Sequence, residues 1–232
     1  MLKGLTLAFL LMLPLTAKGQ AVRILPVNPQ KLAKPLPTRT TDVKAYYAFD
    51  AIEQLADAYR IVIGFVDDES VHRNPLLTFH LDHATVPEAM DELTNADPAY
   101  FWRFEPDGAV TVYSRVSTFT LPDVVIADFR VQKLNREGVS EALGELPEIT
   151  NWLTEHGCVR NQAISTTGNP PPDNQRVTFE ITGKTLRQVL NEVAARMSFH
   201  YWALSRSIEP DAGCTVGIVL EPVGTRPDDF AP

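Results

Sequence analysis

The chain has 232 residues, with 44% hydrophobic, 22% charged and a formal net charge of −8. That mixture excludes collagen-like, coiled-coil and wholly disordered chains. The acidic balance argues against nucleic acid and against a polybasic membrane-surface patch, both of which need clustered Lys and Arg.

Residues 1–19 have the three parts of a secretory signal peptide: Lys3, an apolar run from Leu5 to Leu15, and small residues Ala17 and Gly19 before Gln20. The run is shorter than the ~20 residues a spanning helix needs. No later stretch is apolar enough to span, so the chain is expected to be soluble, exported to the periplasm or beyond, with no membrane span once the signal is removed. Loss of Lys3 and Lys18 takes the 21 basic residues to 19, against 29 acidic ones, for a net charge of −10. Residues 20–41, with Pro26, Pro29, Pro35 and Pro37, read as an extended linker or arm.

A first module is expected over 42–116. Phe49, Ile52, Leu55, Ala56 and Tyr59 share one helix face, and a strand follows from Ile61 to Val66. Asp67-Asp68-Glu69 reads as a polar turn, since it lacks the spacing of a Ca²⁺ loop. Leu77, Phe79 and Leu81 alternate with polar residues as a half-buried strand does. His80, Asp82 and His83 resemble a metal cluster, but zinc needs three or four convergent ligands, and a solvated strand edge accounts for them. Thr85 stands as N-cap with Glu88 in capping-box position, ahead of a helix carrying Val86, Ala89, Met90 and Leu93 on one face. Strands Tyr100–Phe104 and Val110–Tyr113 close the module around the Asp107-Gly108 turn.

A second module is expected over 117–222, entered by a strand in 118–131. Val139, Leu143, Leu146, Ile149 and Leu153 predict a helix that Pro147 kinks or breaks. Residues 158–175, with Pro170-Pro171-Pro172, read as a loop insert, and 223–232 as a flexible tail. From Val177 on, the chain repeats the first module at an offset of 100. Thr78, Phe79, Thr85, Glu92 and Trp102 recur as Thr178, Phe179, Thr185, Glu192 and Trp202. The apolar phase recurs with them, in Ile181, Leu186, Val189, Leu190 and Val193, and the last strand is Cys214–Leu220. The fold expected is therefore α+β: two tandem two-layer modules, each a small mixed sheet with two helices on one face.

The strand Val177–Ile181 followed by Thr185-Leu186-Arg187-Gln188-Val189-Leu190 is similar to a known pattern. So are Leu77–Leu81 with Thr85-Val86-Pro87-Glu88-Ala89-Met90 and the closing strand Gly108–Val112. These runs resemble the short periplasmic modules (STN) at the N-terminus of secretins and TonB-dependent transducers. They are also similar to the C-terminal module of FecR-like sigma regulators. The resemblance implies protein–protein interaction in the bacterial envelope, by docking or ring assembly, without catalysis. The insert that starts at Cys158 departs from the pattern.

An exported chain meets an oxidising compartment, and Cys158 and Cys214 read as a disulfide worth ~3–4 kcal/mol. Free buried thiols, or a catalytic thiol near His156, are the alternatives. Trp102 and Trp202, equivalent in the repeat, with the flanking Tyr100 and Tyr201, are core residues at a sheet face or anchors for a peptide or sugar-like ligand. No nucleophile elbow, P-loop, zincin or dinucleotide motif occurs, and no catalytic, cofactor or metal residue is assigned. The function expected is an assembly or interaction module with an envelope protein as partner, with oligomerisation open. The rivals are a small envelope hydrolase using unplaced carboxylates or His, and an aromatic-lined ligand-binding protein.

Overall fold

A computed structural model describes residues 38–68, 76–161, 176–209, 211 and 213–221. The leader, the arm up to Pro37, Glu69, the Pro-rich part of the insert and the tail lie outside these residues.

Both halves run strand–helix–strand–strand–helix–strand–strand. The first comprises β1 (Arg39–Ala45), α1 (Ala48–Tyr59), β2 (Ile63–Asp68), β3 (Leu77–Ala84), α2 (Val86–Ala96), β4 (Tyr100–Phe104) and β5 (Val110–Ser114). A 3-10 turn at Leu121–Asp123 leads into β6 (Val125–Leu134). Two short helices, α3 (Arg136–Gly144) and α4 (Pro147–Glu155), stand where the first half has α1. Pro147 opens α4 because its missing N–H is one the first turn leaves unbonded anyway. Then come β7 (Cys158–Asn161), β8 (Val177–Thr185), α5 (Leu186–Arg196), β9 (Tyr201–Glu209) and β10 (Gly213–Glu221). Cys158 thus opens a strand where a loop is expected from the sequence. Arg39–Thr41, expected in the arm, begin β1.

The equivalent helices start with the same device. Glu88 Oε2 accepts from the Thr85 N–H at 2.6 Å, and Gln188 Oε1 accepts from the Thr185 N–H at 3.0 Å. The Thr85 hydroxyl is itself a donor, to Glu88 at 2.8 Å. Burial of Val86, Ala89, Met90 and Leu93, and of Leu186, Val189, Leu190 and Val193, follows the apolar stripe of each helix.

In each half two strands form an antiparallel ribbon, β1 with β3 and β6 with β8. The other three form a mixed sheet. β4 is antiparallel to β5, which is parallel to β2; likewise β9 is antiparallel to β10, which is parallel to β7. The two sheets expected of separate modules are one, because β2 pairs in parallel with β9 to give the order β4-β5-β2-β9-β10-β7.

Alternation along the joining strands places the two cores. Ile63 and Phe65 of β2, with Tyr201 and Ala203 of β9, enter a core built by α1, α2, β1 and β3. Val66, Trp202 and Leu204 enter the other, built by α3, α4, α5, β6 and β8. Neighbouring residues of a strand point to opposite faces, so the two helical layers cover opposite faces of the sheet. The α+β expectation holds, with helices sandwiched between a ribbon and a shared sheet.

Candidate interaction site at the open sheet edge

The joint between the halves is built around Trp202. Its indole is fully buried and donates to Asn191 Oδ1 of α5 at 2.6 Å. Asn191 Nδ2 in turn donates to Asp107 Oδ2, on the β4–β5 turn of the first half, at 3.1 Å. The indole lies over Gly64 of β2. A Cβ built there would sit 2.1 Å from Trp202 Cζ2, so only glycine lets the strands meet. The Ile63 N–H donates to the His200 carbonyl at 2.9 Å, which turns the backbone groups of His200, Trp202 and Leu204 toward β2. At the far end of the joint Arg206 pairs with buried Asp68 and donates to Thr118 Oγ1 at 2.8 Å. Phe49 meets buried Tyr201 edge-on at 5.0 Å across the other face.

The same parts recur at β4, with no covering strand among the described residues. Trp102 Nε1 donates to Asp91 Oδ1 of α2 at 2.8 Å, and Asp91 holds the place of Asn191 in the repeat. Trp102 is half-buried and Asp91 exposed. The Glu105 N–H bonds the Ala109 carbonyl and the Arg115 N–H bonds the Ala99 carbonyl. An antiparallel ladder in that phase turns Phe101 and Arg103 toward β5 and leaves the N–H and C=O of Trp102 and Phe104 pointing outward. Among the described residues β5 is the only strand paired with β4.

The face of β4 and β5 opposite Trp102 carries a stack. Phe101 and Tyr113 rings lie 5.2 Å apart and nearly parallel. The Arg103 guanidinium sits 4.6 Å over Tyr113 and that of Arg115 5.8 Å over Phe101. Tyr113 donates to buried Glu105 at 2.6 Å, and Glu105 also accepts from Arg103 at 3.0 Å. Burial, then the bond to Glu105, raises the Tyr113 phenol well above its ordinary value and keeps it a neutral donor.

Three of the four aromatics singled out in the sequence are core. Tyr100 is buried and donates to Asp67 at 3.0 Å, and Tyr201 and Trp202 lie in the joint. Only Trp102 reaches an edge. Cys158 and Cys214 form the expected disulfide, at directly paired positions of β7 and β10. His156 stacks on Trp152 at 3.9 Å and contacts its carbonyl at 2.8 Å. Asp67 and Asp68 are no polar turn; they are the buried last residues of β2, Asp68 being held by Arg206. His80 pairs with Asp42 at 2.7 Å on the exposed ribbon, and His83 lies 3.8 Å from Asp82. No group of three or more His, Cys, Asp or Glu among the described residues is placed to hold a metal ion.

A cleft of about 470 Å³ lies between the β4–β5 turn and α5, lined by Val62, Asp107, Lys184, Asn191 and Glu192. Its polar groups bond one another. Burial alone would raise the Glu192 carboxyl, but bonds from Lys184 and Arg196 outweigh it and hold it below the usual range. No described helix is long and apolar enough to cross a membrane. No family model, curated protein or solved structure matches the chain.

Sequence reasoning missed Gly64, Asp91 and Asn191. A lone glycine inside the apolar run Ile61–Val66 signals a close backbone approach. Asp91 and Asn191 are polar at the same repeat position, directly after the apolar pair Met90 and Leu190.

Proposed function

We propose that the chain is an exported component of the bacterial cell envelope that works by docking another protein, with the β4 edge as its contact. The observation that carries this reading is the outward-facing backbone of Trp102 and Phe104 beside a half-buried indole already fixed by Asp91. An exposed edge strand is a ready template for a strand from another chain. The leader over residues 1–19 and the Cys158–Cys214 bridge support a periplasmic setting. The repeat at an offset of 100 supports the STN-like reading, since each half keeps one strand order, with the helix after its third strand capped by Thr85 or Thr185.

The test places a photo-crosslinking amino acid at Arg103, exposed on β4, or at Glu155, exposed at the end of α4. The expected result is an adduct with a distinct envelope protein at position 103 and none at 155. A chain that gives no adduct at 103 in living cells, and stays monomeric in sedimentation, overturns the reading.

A further inference from the structure

Resting on that docking reading, we infer that the β4 edge accepts a partner strand parallel to β4 with a glycine opposite Trp102. The chain already contains this joint once. β9 offers outward backbone groups at His200, Trp202 and Leu204, and β2 fills them in parallel, with Gly64 opposite Trp202. β4 offers the groups of Trp102 and Phe104, the same phase at an offset of 100. The indole is held in both copies by the equivalent helix residue, Asn191 in one and Asp91 in the other. Leu204 and Phe104 follow at the next inward-facing position. A side chain larger than glycine meets the indole in the internal joint, since a Cβ at position 64 lies 2.1 Å from it. The β4 edge applies the same steric filter.

The occupant is a segment of another protein in which glycine sits among apolar residues that alternate between two faces, as in Ile63-Gly64-Phe65-Val66. A second copy of this chain is a poor fit. The other end of its six-stranded sheet, β7, reads Cys158-Val159-Arg160-Asn161, with no glycine to place under Trp102. Of the described strands that carry glycine, β2 and β10 are paired on both sides, and in β8 Gly183 is left-handed (φ 63°) between polar Thr182 and Lys184, unlike the apolar alternation around Gly64.

The probe is a fluorescent peptide with the sequence of residues 60–68, RIVIGFVDD, and a second with valine in place of its glycine. Anisotropy titration with the intact wild-type chain is expected to show one site and at least about tenfold weaker binding of the valine peptide, the scale set by a steric overlap. In Trp102→Ala the two peptides are expected to bind within about twofold of each other. A crosslinker at Arg103 of the otherwise wild-type chain, which needs no change at Trp102, is expected to capture the glycine peptide alone.

Equal binding of both peptides overturns the inference. So does a glycine peptide that binds but is not captured from Arg103, which places it away from β4, as when it displaces β2 from β9. So do multimers that Val159→Lys dissolves, which make the occupant a second copy through β7. If neither peptide binds while position 103 still captures an envelope protein, the glycine rule fails and the docking reading survives.

Discussion

Trp202 and Trp102 are the same residue in two settings, and the difference between them lies in what the neighbouring strand brings. Gly64→Ala puts a methyl group into the Trp202 indole, so a loss of about 1–3 kcal/mol is expected in chemical denaturation. Trp202→Phe in the same chain should recover part of that loss, because the smaller ring vacates the overlap; an additive double variant would refute the steric account. His83 offers a second residue-scale case. Its backbone is left-handed (φ 48°), and the repeat has Gly183 (φ 63°) at that position. His83→Gly is expected to keep stability or raise it by up to about 1 kcal/mol, whereas His80→Gly, in the extended part of β3, should lower it by a similar amount. Thermal melts decide between them, and an equal loss at both sites would give His83 a role beyond its exposed strand end.

The helix starts separate by chemistry where they agree in geometry. Glu88 accepts from the Thr85 backbone and hydroxyl, and the backbone bond first, then the hydroxyl bond, lowers its carboxyl below the ordinary value of 4.5. A lowered carboxyl stabilises the fold above its unfolded value, and that contribution is lost as pH falls through the lowered folded value. The equivalent acceptor at α5 is Gln188, which does not titrate. Hydrogen exchange is therefore expected to show α2 amides losing protection in acid ahead of those of α5, and Glu88→Gln should abolish the difference. The apolar periods and the capping residues made these elements legible in the sequence. β7 was not legible, because a four-residue strand at the start of a Pro-rich insert has too few residues to show a period.

At the scale of the molecule, the shared sheet makes the halves depend on each other. β2 and β9 belong to both cores, and buried Asp68 and Arg206 join across 138 positions of chain. Unfolding is expected to be a single transition by Trp fluorescence and by circular dichroism, and two separated transitions would show that the joint carries little. Arg206→Met leaves Asp68 buried without its cation and should cost about 3–5 kcal/mol. Reducing Cys158–Cys214 should cost about 3–4 kcal/mol more, read from urea melts with and without reductant.

The sequence by itself determined the α+β class, the repeat, the helix starts and the cysteine pair, because period, capping and residue count are local or self-referential. The tertiary structure decided what no local pattern encodes: which strand edge meets which. Two tandem apolar strands look alike in sequence whether they end two sheets or join one. Only packing placed Gly64 under Trp202, buried Asp67 and Asp68, and left the matching edge at Trp102 with no second partner strand among the described residues.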